Sequence, residues 1–163
     1  MLFRSDVDGD GDLDVLSASM IDDTIAWYEN DGSENFTAHA ITTSADGGQS
    51  VSAADVADHG DIDVLSASEE DDTIAWYEND GSENFTAHAI TTSADVAMSV
   101  HATDVDGDGD MDVLSASYDG VTLAWYENDG SENFTTHIIT NSVRGAVSVY
   151  ASDVDGDGDM DVL

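Results

Sequence analysis

The chain has 163 residues, and its 37 Asp and Glu stand against only two basic residues, Arg4 and Arg144, for a formal net charge of −35. A polyanion of this density does not bind nucleic acid by neutralising phosphates and is not drawn to an anionic membrane surface. With no Cys there is no disulfide framework or thiol nucleophile, and no run of residues reaches the apolar length of a membrane span, so insertion into a membrane is not expected.

Hydrophobic residues nevertheless make up 40% of the chain, and Trp, Tyr and Phe recur along it, unlike in a disordered acidic tail. A folded chain of this charge needs counterions or bound metal to offset its self-repulsion. Met1 is followed by neither a charged region nor a long apolar one, so no signal peptide is expected.

The chain is a repeat. Trp27, Trp76 and Trp125 are 49 residues apart, and so are Asp6, Asp55, Asp104 and Asp153. Residues 22–46 recur unchanged at 71–95. The units run 1–48, 49–97 and 98–146, and 147–163 repeat the opening of the unit and stop inside it. This pattern is expected of a piece of a longer array, or of a protomer that begins and ends within a unit.

Each unit predicts four short strands, taken here from the second. SVSAADV at 50–56 leads into an Asp/Gly loop, DVLSAS follows at 63–68, TIAWYEN at 73–79, and after the turn DGSEN comes FTAHAIT at 85–91. All are rich in β-branched and aromatic residues and bounded by Gly, Asp, Asn and Ser, and no segment has helical spacing. Ile74 and Trp76 alternate with Ala75 and Tyr77, so both faces of the third strand carry apolar residues. That suits sheets stacked face to face, and four-stranded sheets at this period are the blades of a β-propeller; an open solenoid usually has shorter coils.

The loop between the first two strands carries the chemistry. DVDGDGDLD places Asp6, Asp8, Asp10, Asp12 and Asp14 at alternate positions, and the same pattern recurs with Asp104, Asp106, Asp108, Asp110 and Asp112 and with Asp153, Asp155, Asp157, Asp159 and Asp161. Carboxylates at positions 1, 3, 5 and 9, a backbone carbonyl at 7 and Gly at 6 form an oxygen-only cage for a hard cation, and oxygen count and charge favour Ca²⁺ over Mg²⁺. It is not an EF-hand, which needs Glu at position 12 and flanking helices. A solvated acidic turn without metal is the competing reading. In the second unit Ala57 and His59 replace two carboxylates, only Asp55 and Asp63 keep their roles, and this site is expected to be weak or empty.

DVDGDGDLDVLSAS with WYENDGSENFT resembles the FG-GAP/VCBS repeat family, whose members are similar to the blades of the integrin α-subunit propeller. The resemblance covers essentially the whole chain and implies a propeller of about seven blades with Ca²⁺ in the hairpin between blade strands one and two. Three full units and an inner hairpin do not close such a ring, so the chain is expected to join copies of itself, as a ring or a filament, or further blades of the same polypeptide.

Other repeated residues have two readings each. Asn35, Asn84 and Asn133 sit in N-x-T sequons at the outer turn, as glycan acceptors or as turn residues. The Trp-Tyr pairs could stack sugars or pack blades. His39, His88 and His137 are too far apart in sequence for a shared metal, and a role within each blade is expected. Near-identical units offer no unique catalytic constellation, so no enzyme is expected. The function expected is a calcium-binding extracellular module in adhesion or structure; a lectin-like propeller and an accessory domain of a secreted enzyme are the alternatives.

Overall fold

The computed structural model describes residues 2–163; Met1, which opens the first unit, lies outside them. The first sheet contains β1 (Leu2–Ser5), β2 (Asp14–Ser19), β3 (Thr24–Asn30) and β4 (Phe36–Thr42). The second contains β5 (Gly48–Ala54), β6 (Asp63–Ser68), β7 (Thr73–Asn79) and β8 (Phe85–Thr91), and the third β9 (Ala97–Thr103), β10 (Asp112–Ser117), β11 (Thr122–Asn128) and β12 (Phe134–Thr140). A short hairpin of β13 (Ala151–Ser152) and β14 (Asp161–Val162) follows. In every sheet, strands adjacent in sequence pair antiparallel, and among the described residues there is no helix. The architecture is three successive four-stranded blades and a partial fourth, all-β as expected, in an open array.

The second, third and fourth strands of each unit stand where the alternation places them. The first strand of the second unit instead ends at Ala54, ahead of the expected boundary. The reason is local: the Val56 N–H donates to Asp63 Oδ2 at 2.9 Å, so the chain has already left the ladder. The fourth unit has only two-residue strands, extended by the mutual backbone hydrogen bonds of Tyr150 and Leu163 at 3.2 and 2.8 Å.

The two faces of each strand bury against different neighbours. Leu16, Ile25 and Trp27 of the first sheet pack on Val51, Val64, Ala75 and Tyr77 of the second. The opposite face of the second sheet, with Leu65, Ala67, Ile74 and Trp76, packs on Val100, Val113, Ala124 and Tyr126 of the third. Leu114, Ala116 and the partly buried Trp125 of the third then meet Val149 and Ala151 of the hairpin. Each fully buried Leu, Ile or Trp contributes about 1.5–3 kcal/mol by leaving water. The buried tyrosines satisfy their hydroxyls internally, with Tyr77 and Tyr126 at 3.1 and 3.2 Å from Ser66 and Ser115 Oγ.

Candidate metal centre

The acidic loops lie between the first and second strands of their units and are shaped by their own carboxylates. Asp6 Oδ2 accepts the Gly11 N–H at 3.1 Å, Asp8 Oδ1 accepts Asp10 N–H at 3.1 Å, and Asp10 Oδ1 accepts Asp12 N–H at 2.8 Å. The loops of Asp104 and Asp153 repeat this pattern, their first carboxylates accepting from Gly109 and Gly158 at 3.1 Å each. Gly11, Gly109 and Gly158 have φ of 97, 104 and 99°, a region side chains strongly disfavour, so the sharp turn at position 6 needs glycine.

This winding brings three carboxylates together in each intact loop. Ligand oxygens of Asp6, Asp8 and Asp10 lie within 4.8 Å of one another, as do those of Asp104, Asp106 and Asp108 and those of Asp153, Asp155 and Asp161. Asp6 Oδ1 is buried with no hydrogen-bond partner, an oxygen left for something other than protein. The Asp8 carboxyl is pushed above its usual range, first by burial and then by the charges of Asp10, Asp14 and Asp6. An all-oxygen, multiply anionic set with an orphaned buried oxygen fits a hard divalent cation.

Asp12, Asp14, Asp110, Asp112, Asp157 and Asp159 lie outside these triads. Asp14 and Asp112 are fully buried clamps: Asp14 accepts Val7 N–H at 2.8 Å and Asn30 N–H at 2.9 Å, and Asp112 accepts Val105 N–H at 2.9 Å and Asn128 N–H at 2.8 Å. Asp161 accepts the Val154 N–H at 3.0 Å. It is exposed and joins the triad of its loop. The carboxylates at position 7 reach instead toward the DGSEN turn: a Cβ on Gly81 would come 2.7 Å from Asp61 Oδ2 and one on Gly130 2.5 Å from Asp110 Oδ2.

In the second unit the loop keeps its turn without the cage. Asp55 accepts the N–H groups of His59 and Gly60 at 3.0 and 2.8 Å, and Asp63 accepts those of Val56, Ala57 and Asn79. Asp58 adopts φ of 53° where the other loops have glycine. Among the described residues no carboxylate triad forms here.

The remaining repeated residues resolve into packing and turn chemistry. Trp27, Trp76 and Trp125 stack on His39, His88 and His137 with ring centroids 4.6–4.7 Å apart. Each His Nε2 lies against a Glu Oε2 of the same sheet: Glu29 at 2.9 Å, Glu78 at 3.0 Å and Glu127 at 2.6 Å. Trp76 and Tyr77 are buried between sheets, with 2% and 4% exposure, and present no face to a sugar. The sequon residues Asn35, Asn84 and Asn133 are exposed, but each side-chain amide donates to Asp31, Asp80 or Asp129 and locks the turn. These bonds, with backbone N–H groups of the same turn, hold the three aspartates below the usual carboxylate range.

Sequence reasoning passed over the last residue of TIAWYEN. Asn79 Nδ2 donates to Val7 O at 3.3 Å and to Ile62 O at 3.2 Å, and Asn128 Nδ2 donates to Val56 O and Met111 O at 3.2 and 3.3 Å. The second and third sheets thereby hold the acidic loops of the first and second. The fixed spacing of 16 residues between the clamp Asp and this Asn was the available signal.

The FG-GAP-like repeat family matches residues 6–58, 55–115 and 104–163. The chain belongs to this family, and its blades are propeller-like. A search of curated proteins found no match.

Proposed function

We propose that the chain is a non-catalytic, calcium-stabilised β-propeller module with a structural or adhesive role at the cell surface or outside the cell. The observation that carries the reading is the triad of Asp6, Asp8 and Asp10, with a buried Asp6 oxygen that has no protein partner. Asp104, Asp106 and Asp108 supply an equivalent site, and Asp153, Asp155 and Asp161 a third in which the position-9 carboxylate takes the place of the one at position 5. When bound, Ca²⁺ supplies charge neutralisation, three ions bringing +6 to a chain of −35. The protein's part is to hold these carboxylates on loop N–H groups and to tie the first loop into the second sheet through Asn79. Because the triads exist only in the folded hairpin, binding energy becomes folding energy. Loops of this kind fill in millimolar calcium, an extracellular condition. Isothermal titration with CaCl₂ tests the reading, and three sites are expected. No heat and no change in melting temperature on adding Ca²⁺ would overturn it.

A further inference from the structure

We propose that Asn79 is a positioning residue of the first cation site. Reaching across from the second sheet, it fixes the chain between two of the three carboxylates, so that filling the site and docking the two sheets favour each other. This rests on the calcium reading and adds to it what sets the affinity of that site.

Two peptide groups join Asp6 to Asp8, and each is held from a different sheet. The Val7 N–H, in the first of them, donates to Asp14 Oδ2 of the same sheet at 2.8 Å. The Val7 carbonyl, in the second, accepts Asn79 Nδ2 of the second sheet at 3.3 Å. Val7 and Asn79 are both buried, and the Val7 side chain packs in the core between the two sheets. Asn79 is itself pinned. Its backbone N–H donates to Asp63 Oδ1 at 2.8 Å, its Oδ1 accepts the Gly81 N–H at 3.2 Å, and its Nδ2 also donates to Ile62 O at 3.2 Å. Engaged at both ends, the side-chain amide is set in place before any ion arrives. The loop pattern takes its backbone ligand from position 7, which is Asp12, so the bond to Val7 O competes with no ligand.

Carboxylates whose spacing is fixed beforehand lose less freedom on closing round an ion. Removing a partner that orients ligands typically costs about 10- to 100-fold in metal affinity. By linkage, an ion that favours the held geometry strengthens the Asn79 contact by the same factor.

Asn128 makes the matching bonds one sheet further on, to Val56 O at 3.2 Å and Met111 O at 3.3 Å. Val56 lies in the loop where no carboxylate triad forms among the described residues, so the same contact between sheets occurs there with no triad to position. Met111 belongs to the loop of Asp104, Asp106 and Asp108, so Asn128 becomes a matched control once that site is disabled.

Isothermal titration with CaCl₂ on the full chain carrying Asp106→Ala and Asp155→Ala, which leaves the first site alone, tests the assignment. Adding Asn79→Ala should weaken Kd by at least about tenfold, whereas adding Asn128→Ala should leave it unchanged. In NMR of the same single-site chain, calcium should slow hydrogen exchange of the Asn79 side-chain amide and leave that of Asn128 as it was. A Kd unmoved by Asn79→Ala, or weakened equally by both variants, overturns the proposal. Should Asn79→Ala fail to fold, equal exchange responses of the two amides overturn it. If the single-site chain binds no calcium, the calcium reading falls and this inference falls with it; calcium binding that Asn79→Ala does not weaken removes this inference alone.

Discussion

The Asn30 backbone N–H donates to Asp14 Oδ1 at 2.9 Å, joining the acidic loop of the first sheet to the end of its third strand. The same bond links Asp63 with Asn79 and Asp112 with Asn128, both at 2.8 Å. In two of these the Asn side chain also reaches the loop of the preceding sheet. Asn79 thereby couples the first triad loop, through Val7, to the packing of the second sheet.

Calcium removal is the first consequence. In free Ca²⁺ at a hundredfold excess over Kd, one occupied site stabilises the fold by about 2.7 kcal/mol, roughly 5–10 °C in Tm for a chain of this size. Scanning calorimetry with EDTA against excess Ca²⁺ should show a fall of at least that size. Asp106→Ala should abolish one site and reduce the calcium-dependent gain, whereas Asp58→Gly should leave the gain intact.

The second loop can be repaired. Asp58 holds φ of 53° where glycine stands in the intact loops, and Ala57 and His59 stand where carboxylates do. The triple variant Ala57→Asp, Asp58→Gly, His59→Asp should add one calcium site by titration calorimetry. An unchanged ion count would show that the ligand positions are misassigned.

Asp63 serves the backbone in a loop without a triad, so its role is separable from metal. Its oxygens accept three backbone N–H groups, and burial, the largest influence, raises its carboxyl above the usual range. Asp63→Asn puts an amide where an acceptor is needed and should cost about 2–3 kcal/mol in urea unfolding, with or without calcium.

Asp80 should show the opposite titration. The Asn84 side-chain hydrogen bond is the main cause of its depressed pKa, followed by the Ser82 N–H. A folded pKa below the unfolded one means that this contribution is present above the ordinary Asp value and is lost as pH falls through the folded pKa. Carbon-detected NMR should find Asp80 titrating below the ordinary Asp range, and Asn84→Ala should move it up. A titration unmoved by that substitution would remove the sequon asparagine from its role in the turn.

Trp76 tests packing against sugar binding. Buried at 2% exposure and stacked on His88, it should cost about 3–5 kcal/mol when changed to Ala, and soluble saccharides should leave its fluorescence unchanged.

Much was legible in the sequence because it is local. The 49-residue period, the strands DVLSAS, TIAWYEN and FTAHAIT, and the alternating carboxylates of the loops follow from side-chain alternation and turn chemistry within a few residues. What only the tertiary structure decided depends on partners far away along the chain. It set Asp14, Asp63 and Asp112 as clamps that accept the N–H groups of Asn30, Asn79 and Asn128, 16 residues further on. It set Glu78 against His88 and His88 against Trp76, and it turned Tyr77 inward while leaving Tyr28 half-covered. A strand's pattern shows that both of its faces are apolar, but what covers each face is settled by stacking between sheets.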